Sequence, residues 1–414
     1  MRVIHTADWH LGQTLHGFER SYEQQCFLDW LLDTLVNEQA DALLIAGDIF
    51  DTANPPALAQ QQLYRFLTQA RARVPYLNTV LIAGNHDSPT RLEAPKPFLQ
   101  LLDTVVSGQV WRLPSGSHDL ESLVVPLKDR NGEISAWCLA VPFLRPADVP
   151  KIADALDPFL AGVKDLYAQT LKLAQAKASS NQALIALGHC YLQGGSASQD
   201  SERRIVVGNS EALPASIFSD ELTYVALGHL HLAQAVGKSE HIRYSGSPLP
   251  MSFAETNYQH QVLCLDFEGA ELSQVRSLPI PRFVDLLRIP KQPADLAQVL
   301  TELKALNLAL LTEQQYPYLE VRVQLTAPEP GLRVRIEEAL KDKPVRLAKI
   351  ETTYLRSASE VTELAPLSLD ELEKLDPCQL LEDLYQQKYS GSLAPELAQA
   401  FKEILQEAQL EPTP

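Results

Sequence analysis

Cysteine is scarce in this sequence. There are five in 414 residues, at Cys26, Cys138, Cys190, Cys264 and Cys378, and no two form a C-x-x-C pair. That argues against a disulfide framework and points to a reducing compartment. Long apolar runs are also missing. No segment approaches the roughly 18 uninterrupted apolar residues of a membrane-spanning helix, so no membrane span is expected. Positive charge is in deficit, with 35 Lys and Arg against 52 Asp and Glu and a net charge of −17. Attraction of nucleic acid by bulk electrostatics is therefore disfavoured. A local basic groove, a metal-mediated phosphate site or a basic partner is not. The chain opens MRVIHTADWH, one short strand that meets a polar motif by residue 8. No secretory leader is expected, and the expected location is the cytoplasm, at the nucleoid.

The 45% hydrophobic and 21% charged content suits a folded chain with packed cores, and the length suits two or three domains. Short, almost wholly apolar strands are predicted at Arg2–Ala7, Ala42–Ala46, Thr79–Ala83, Ala183–Leu187 and Tyr224–Leu227, as for strands covered on both faces. Between the first two, SYEQQCFLDWLLDTLVNEQ predicts a helix. Ser21 and Gln24 read as a capping box, and Phe27, Leu31 and Leu35 share a face. A second helix is predicted over Ala57–Arg73, with Ala59, Leu63, Phe66, Leu67 and Ala70 on one side. Strands and helices in alternation imply a layered α/β fold over residues 1–280. GGSASQDSERR, from Gly194, reads as a polar loop.

PIPRF, near residue 280, marks a boundary. Beyond it RFVDLLRI, a helix bearing Leu296, Val299, Leu300 and Leu303, the alternating YLEVRVQL, a helix with Leu332, Ile336 and Leu340, and VRLAKIETTY predict a smaller α/β domain over 281–355. From Arg356 onward there are 12 acidic and 4 basic residues, in a linker and C-terminal helices. Ser368 with Glu371 reads as a capping box, Asp376–Pro377 as a helix start, and Pro395 as the opening of a helix carrying Leu397, Phe401, Ile404 and Leu405. This segment either docks on its own chain or clamps a partner.

Four apolar runs end in the same way: LLIAG before Asp48, LIAG before Asn85, ALIALG before His189 and YVALG before His229. In α/β sheets, ligands bind beyond the carboxyl ends of the strands, and glycine there permits a tight turn. With Asp8 and His10 from TADWH and His231 from GHLH, one rim collects two carboxylates, one amide and four imidazoles. Seven ligands exceed the needs of one ion and suit two, with a carboxylate shared. Mixed nitrogen and oxygen ligation favours Mn²⁺, Fe²⁺ or Zn²⁺ over Mg²⁺ or Ca²⁺, and the lack of cysteine ligands argues against a closed structural zinc site. Such a site suits in-line displacement at phosphorus. His5, His16, His118, His241 and His260 fit no comparable pattern and read as structural or solvated.

The series DWH, GDIFD, GNHD, GHC and GHLH resembles the calcineurin-like metallophosphoesterase family. TADWHLG, GDIFDTANPP and YSGSPLPMSF (residues 244–253) place the resemblance in its DNA double-strand-break repair nuclease branch. The likeness is strong to about residue 270 and looser beyond. It implies a metallophosphoesterase sandwich, a small capping domain that touches DNA, and C-terminal helices that grip the coiled coil of an ATPase partner. It implies two divalent ions, with Mn²⁺ favoured, one held by Asp8, His10, Asp48 and His231 and the other by Asp48, Asn85, His189 and His229, so that Asp48 bridges. His86 is the implied catalytic group at the scissile phosphate. Asp51 stands where some relatives carry histidine, and a carboxylate there is expected to orient His86. Asp87 is either a support for the site or purely structural. The implied activity is 3′→5′ double-strand exonuclease and endonuclease action on ends and hairpins, in a homodimer within a heterotetramer. The helix around Leu63–Ala70 is a candidate dimer contact, or its apolar stripe is simply core. A phosphatase or cyclic-nucleotide phosphodiesterase on the same fold is the alternative, although Thr52 and Asp87 depart from the phosphatase pattern.

Overall fold

A strand covered on both faces carries apolar side chains at every position, and ALLIA over Ala42–Ala46 is buried throughout. In the computed structural model, which describes residues 1–152, 155–196, 212–237, 239–309, 311–354, 377–389, 393–395 and 397–402, this strand lies inside a six-stranded sheet. The sheet order is Glu271–Pro279, Gln261–Glu268, Arg2–Thr6, Ala42–Ala46, Asn78–Ile82, Thr104–Ser107. The last four run parallel, and the first two are antiparallel additions. A second six-stranded sheet has the order Gln234–Val236, Ser239–Tyr244, Tyr224–Gly228, Ala183–His189, Ile134–Ala140, Val124–Lys128.

The alternation of side chains across each strand decides what packs where. Val3, Leu44, Val80 and Ile82 of the first sheet share a core with Cys138, Ile185, Leu187 and Ala226 of the second. On the opposite face of the first sheet, Ile4, Leu43, Ile45 and Leu81 pack against Phe27, Leu31 and Leu35 of helix Ser21–Asn37 and Leu63, Phe66 and Leu67 of helix Ala57–Arg73. Helix Pro158–Lys177 covers the outer face of the second sheet through Val163, Leu166 and Leu171. The result is helix, sheet, sheet, helix. Each of these large apolar side chains contributes about 1.5–3 kcal/mol on burial.

One local expectation fails, and one open alternative is decided. Ser21 lies inside the first turn and Arg20 is the N-cap, without a side-chain cap. Gln24 serves another purpose: its amide donates to the His10 carbonyl (3.0 Å) and accepts from Gly12 N (3.1 Å). The helix start is thereby tied to the first motif loop. The stripe Leu63, Phe66, Leu67 and Ala70, a candidate dimer contact, is at most 2% exposed and belongs to the core. His5 is structural. Its ring nitrogens meet the Tyr224 hydroxyl (3.1 Å) and the Leu227 carbonyl (3.2 Å), and burial lowers its pKa to about 3.

The chain divides into two compact units, Met1–Val284 and Asp285–Pro414. The second contains a three-stranded parallel sheet of Leu286–Ala294, Tyr318–Leu325 and Arg346–Tyr354. Leu319, Val321 and Val323 pack on Val299 and Leu303 of helix Leu296–Ala305 and on Ile336 of helix Leu332–Ala339. The alternate positions carry charge, with Glu320 paired to Arg288 and Lys349, and Arg322 to Glu351. Helix Pro377–Lys388 starts on its proline, and Tyr389 beyond it meets Tyr354 edge-on at 4.8 Å. The expected caps at Ser368 and Asp376, Ile404 and Leu405, and most of the 194–204 loop lie outside the described residues. Among the described residues no helix is long and apolar enough to cross a membrane.

Candidate metal centre

The parallel strands of both sheets deliver their carboxyl ends to one rim, and the exits there are strained. Asp8 (φ 54°), His10 (φ 45°), Asp48 (φ 48°) and His229 (φ 105°) all have positive φ, a conformation that costs non-glycine residues of order 1–3 kcal/mol each. A short backbone ladder holds two of the exits together: Asp8 N to Gly47 O (3.0 Å), His10 N to Asp48 O (3.0 Å) and Leu11 N to Ile49 O (2.9 Å). Trp9, between the two motif residues, is fully buried edge-on to Phe27 and Phe66, and its Nε1 donates to Thr6 Oγ1.

The lead-in glycines differ from expectation. Among the four, Gly47 alone has a positive φ, at 90°. All four are required for space. An added Cβ would lie 2.3 Å from His189 Nδ1 at Gly47, 2.1 Å from Asp48 Oδ1 at Gly84, 2.7 Å from the Tyr167 hydroxyl at Gly188 and 2.0 Å from Ala46 O at Gly228. Gly84→Ala is therefore expected to push the Asp48 carboxylate aside, and a displacement near 1 Å costs about 10²-fold in rate. Metal analysis and cleavage assays check this, and unchanged metal content would refute the steric account.

The sequence-predicted residues meet in two groups that share Asp48. Ligand-type atoms of Asp8, Asp48 and His189 lie within 4.8 Å of one another, and so do those of His10, Asp48 and His86. Asn85 Oδ1 stands 3.0 Å from His189 Nε2 and 3.1 Å from His229 Nδ1. Asp48 Oδ2 stands 3.3 Å from His189 Nε2 and 3.7 Å from His10 Nε2. His231 joins through His10, with ring centres 5.3 Å apart. His189 Nδ1 donates to the Ala46 carbonyl at 2.8 Å, so Nε2 of the neutral ring presents a lone pair to two oxygen acceptors. That arrangement calls for positive charge at this point, supplied either by a second proton on the ring or by a bound cation in its place. The spacings of about 3 Å match neighbouring ligands that are each roughly 2.1 Å from one ion. Asp8 Oδ2 and His10 Nε2 are buried without a hydrogen-bond partner among the described residues, an arrangement native interiors avoid. The donor set fits divalent cations.

The charges agree. Burial works against ionisation of Asp48, yet His189 and His10 hold its carboxyl well below the usual carboxylate range. Burial lowers His189, but the adjacent Asp48 carries it to about 9. Burial raises Asp8 to about 7 and lowers His229 to about 3. The centre thus demands positive charge beside Asp48 and resists protonation of His229.

Asp51 is a correction. The expected pairing of its carboxylate with His86 is not formed. The Asp51 backbone carbonyl accepts from His86 Nδ1 at 2.7 Å, while the carboxylate faces His10 Nδ1 at 3.3 Å. The loop leaving Asp48 turns the main chain of Asp51 toward His86 and its side chain toward the first motif. The His86 backbone N–H donates to Asp48 Oδ1 at 2.9 Å. Asp87 is a support for the site. Its carboxylate accepts from Gly84 N, Phe50 N and Ile49 N at 2.8, 2.9 and 3.1 Å, locking the second and third motif loops together. Burial, then Asp48, raises it to about 6.

Gln24 and Glu255 escaped sequence reasoning. Glu255 Oε1 lies 2.9 Å from His231 Nδ1, although 24 residues separate them. A carboxylate just after the otherwise uncharged YSGSPLPMSF was the one available signal.

The calcineurin-like phosphoesterase profile covers residues 1–233, and the type 5 capsule protein repressor C-terminal domain profile covers 282–389. The SbcD component of nuclease SbcCD from Rhodobacter capsulatus is 40% identical over 364 residues, spanning 86% of this chain and 89% of that protein. The Escherichia coli K12 protein of the same name is 33% identical over 396 residues, spanning 90% and 94%. That of Bacillus subtilis is 36% identical over 282 residues, spanning 66% and 67%. A buried rim of carboxylates, imidazoles and an amide at the strand ends, on a chain this similar along most of its length, belongs to the calcineurin-like phosphoesterase family, in its SbcD branch.

Proposed function

We propose that this chain is the divalent-metal-dependent nuclease component of an SbcCD-type complex. It degrades double-stranded DNA 3′→5′ from ends and cuts hairpins as an endonuclease. The observation that carries this reading is the shared position of Asp48 between two clusters of ligand-type atoms, which suits a pair of ions and chemistry at a phosphodiester. By the family resemblance, Asp8, His10, Asp48 and His231 would hold one ion and Asp48, Asn85, His189 and His229 the other, a division that differs from the two clusters, which group Asp8 with His189 and His10 with His86. When bound, the ions supply charge neutralisation and water activation for in-line displacement at phosphorus. Mn²⁺ is the ion the family resemblance favours among the Mn²⁺, Fe²⁺ and Zn²⁺ that the mixed donor set admits.

The remaining work falls to the chain. His86 is held by its Nδ1 on the Asp51 carbonyl and by its N–H on Asp48, which leaves Nε2 to donate a proton to the leaving 3′-oxygen. Residues 1–280 form the catalytic domain, 281–355 a cap that contacts DNA, and 356–414 a linker and helices for the coiled coil of an SbcC-type ATPase, in a homodimer within a heterotetramer. The net charge of −17 accords with bound ions and a partner supplying positive potential for the phosphates.

Hydrolysis of linear duplex DNA and of p-nitrophenyl phosphate, with Mn²⁺ and with chelator, tests the activity. Metal-dependent DNA cleavage is expected, and turnover of the small ester with intact DNA would overturn the reading. A chain ending at Tyr354 should stay soluble and lose its ATPase partner on purification. Undiminished co-purification would defeat the clamp assignment.

A further inference from the structure

The segment Tyr244–Glu255 wraps the backbone of His231. Ser247 N donates to His231 O at 3.1 Å. Gly246, at φ 79°, passes so close that a Cβ there would lie 2.7 Å from the same oxygen. The segment ends in a short turn, Phe253–Glu255, capped by the Ser252 hydroxyl accepting from Ala254 N. Its other side is held by the first motif. Gln13 donates to Met251 O at 3.2 Å, and Arg20 Nη1 donates to Pro250 O at 2.8 Å and to Gln13 Oε1 at 2.7 Å. The loop therefore lies between the motif that carries Asp8 and His10 and the motif that carries His231.

The geometry points to Glu255 as a positioning residue of the metal centre, whose buried carboxylate fixes the ring and tautomer of His231 and couples it to this loop. The inference rests on the proposed role of His231 as a ligand. Glu255 is 0% exposed, and both its oxygens are used. Oε1 meets His231 Nδ1 at 2.9 Å, and Oε2 accepts from Met251 N at 2.7 Å. A carboxylate accepts only, so Nδ1 must carry the proton and Nε2 presents its lone pair to the centre. His189 obtains the same tautomer from a neutral carbonyl, that of Ala46. His231 lies beyond the end of its strand at Gly228, outside the sheet's support, and receives a full negative charge instead. Such outer partners orient the ring and strengthen its donor nitrogen.

The test compares Mn²⁺ binding to the full-length chain and to Glu255→Gln and Glu255→Ala, by calorimetry and by the paramagnetic signal of coupled ions. Thermal unfolding of the metal-free proteins is the control. The wild type is expected to bind two ions. Each variant should keep one at wild-type affinity and bind the other about 10–100-fold more weakly. A second measurement needs no Glu255 variant. In the ¹⁵N-histidine-labelled wild type, a hydrogen-bonded Nδ1–H should be present that disappears in His231→Ala. Affinities within about twofold of wild type for both ions, equal weakening of both, or an unprotonated His231 Nδ1 would each overturn the inference. A wild type that binds no ion pair would overturn the ligand reading itself, whereas a normal pair with unaffected variants defeats only the role of Glu255.

Discussion

Asp48→Asn is expected to abolish cleavage and to weaken both metal positions together. Asp48 is 2% exposed, and its two oxygens serve different neighbours. Oδ1 accepts from His86 N, and Oδ2 lies between His189 Nε2 and His10 Nε2. An amide in its place carries no charge to offset two dications and turns a donor toward one of these groups. The transition-state charge stabilisation supplied by bound metal is worth several kcal/mol, so the loss in rate is expected to reach about 10³-fold or more. No other single ligand should have this double effect, because the remaining ones each serve one ion. Metal analysis beside cleavage assays decides the matter. Two tightly bound ions and normal turnover in this variant would remove Asp48 from its bridging role.

His86→Ala is expected to do the opposite with metal and much the same to rate. The His86 ring is held through Nδ1 by a main-chain carbonyl, so its loss should leave both ions and DNA binding intact. Cleavage should fall by about 10²–10⁴-fold, the usual worth of a positioned acid, or roughly 3–5 kcal/mol of barrier. His86 also lies in the cluster with His10 and Asp48, its ring centre 4.9 Å from that of His10, so metal content is the discriminating measurement. Loss of an ion makes it a ligand, and near-normal cleavage denies it any part in the chemistry. Asp51→Asn separates the two contacts of that residue. The carbonyl that holds His86 is unchanged, while the carboxylate facing His10 loses its charge. The effect should therefore appear as weaker binding of the ion on His10, with the contribution of His86 retained.

Much of this centre is legible in the sequence. Ala42–Ala46 and Ala57–Arg73 have the predicted bounds, and the other four predicted strands of the catalytic unit shift by about one or two residues, within the usual scatter of element ends. The remaining strands of the two six-stranded sheets, Ile134–Ala140 and Gln261–Glu268 among them, are not among those predicted. Apolar runs buried on both faces and a 3.6-residue stripe are local patterns, and burial acts on them directly. The seven ligand candidates are visible because each follows a strand end, and parallel strands deliver their ends to one rim, whereas the part of His86 was legible only through the family resemblance.

What the sequence by itself determined is therefore the strands and helices with the clearest apolar patterns, the set of side chains at the rim and the need for cations there, since these follow from local pattern and donor chemistry. Tertiary structure alone decided how the glycines act, because Gly84 and Gly228 answer to atoms far along the chain, on Asp48 and Ala46. It also decided the partners of the supporting groups. Whether Asp51 reaches His86 with its side chain or its carbonyl depends on the path of a loop pinned by Asp87. That Gln24 braces the first motif rather than capping its own helix depends on how the helix packs. That Glu255 faces His231 depends on a loop folded back from beyond the sheet. Hydrogen bonds of this kind join residues by proximity in space, and sequence spacing carries no record of it.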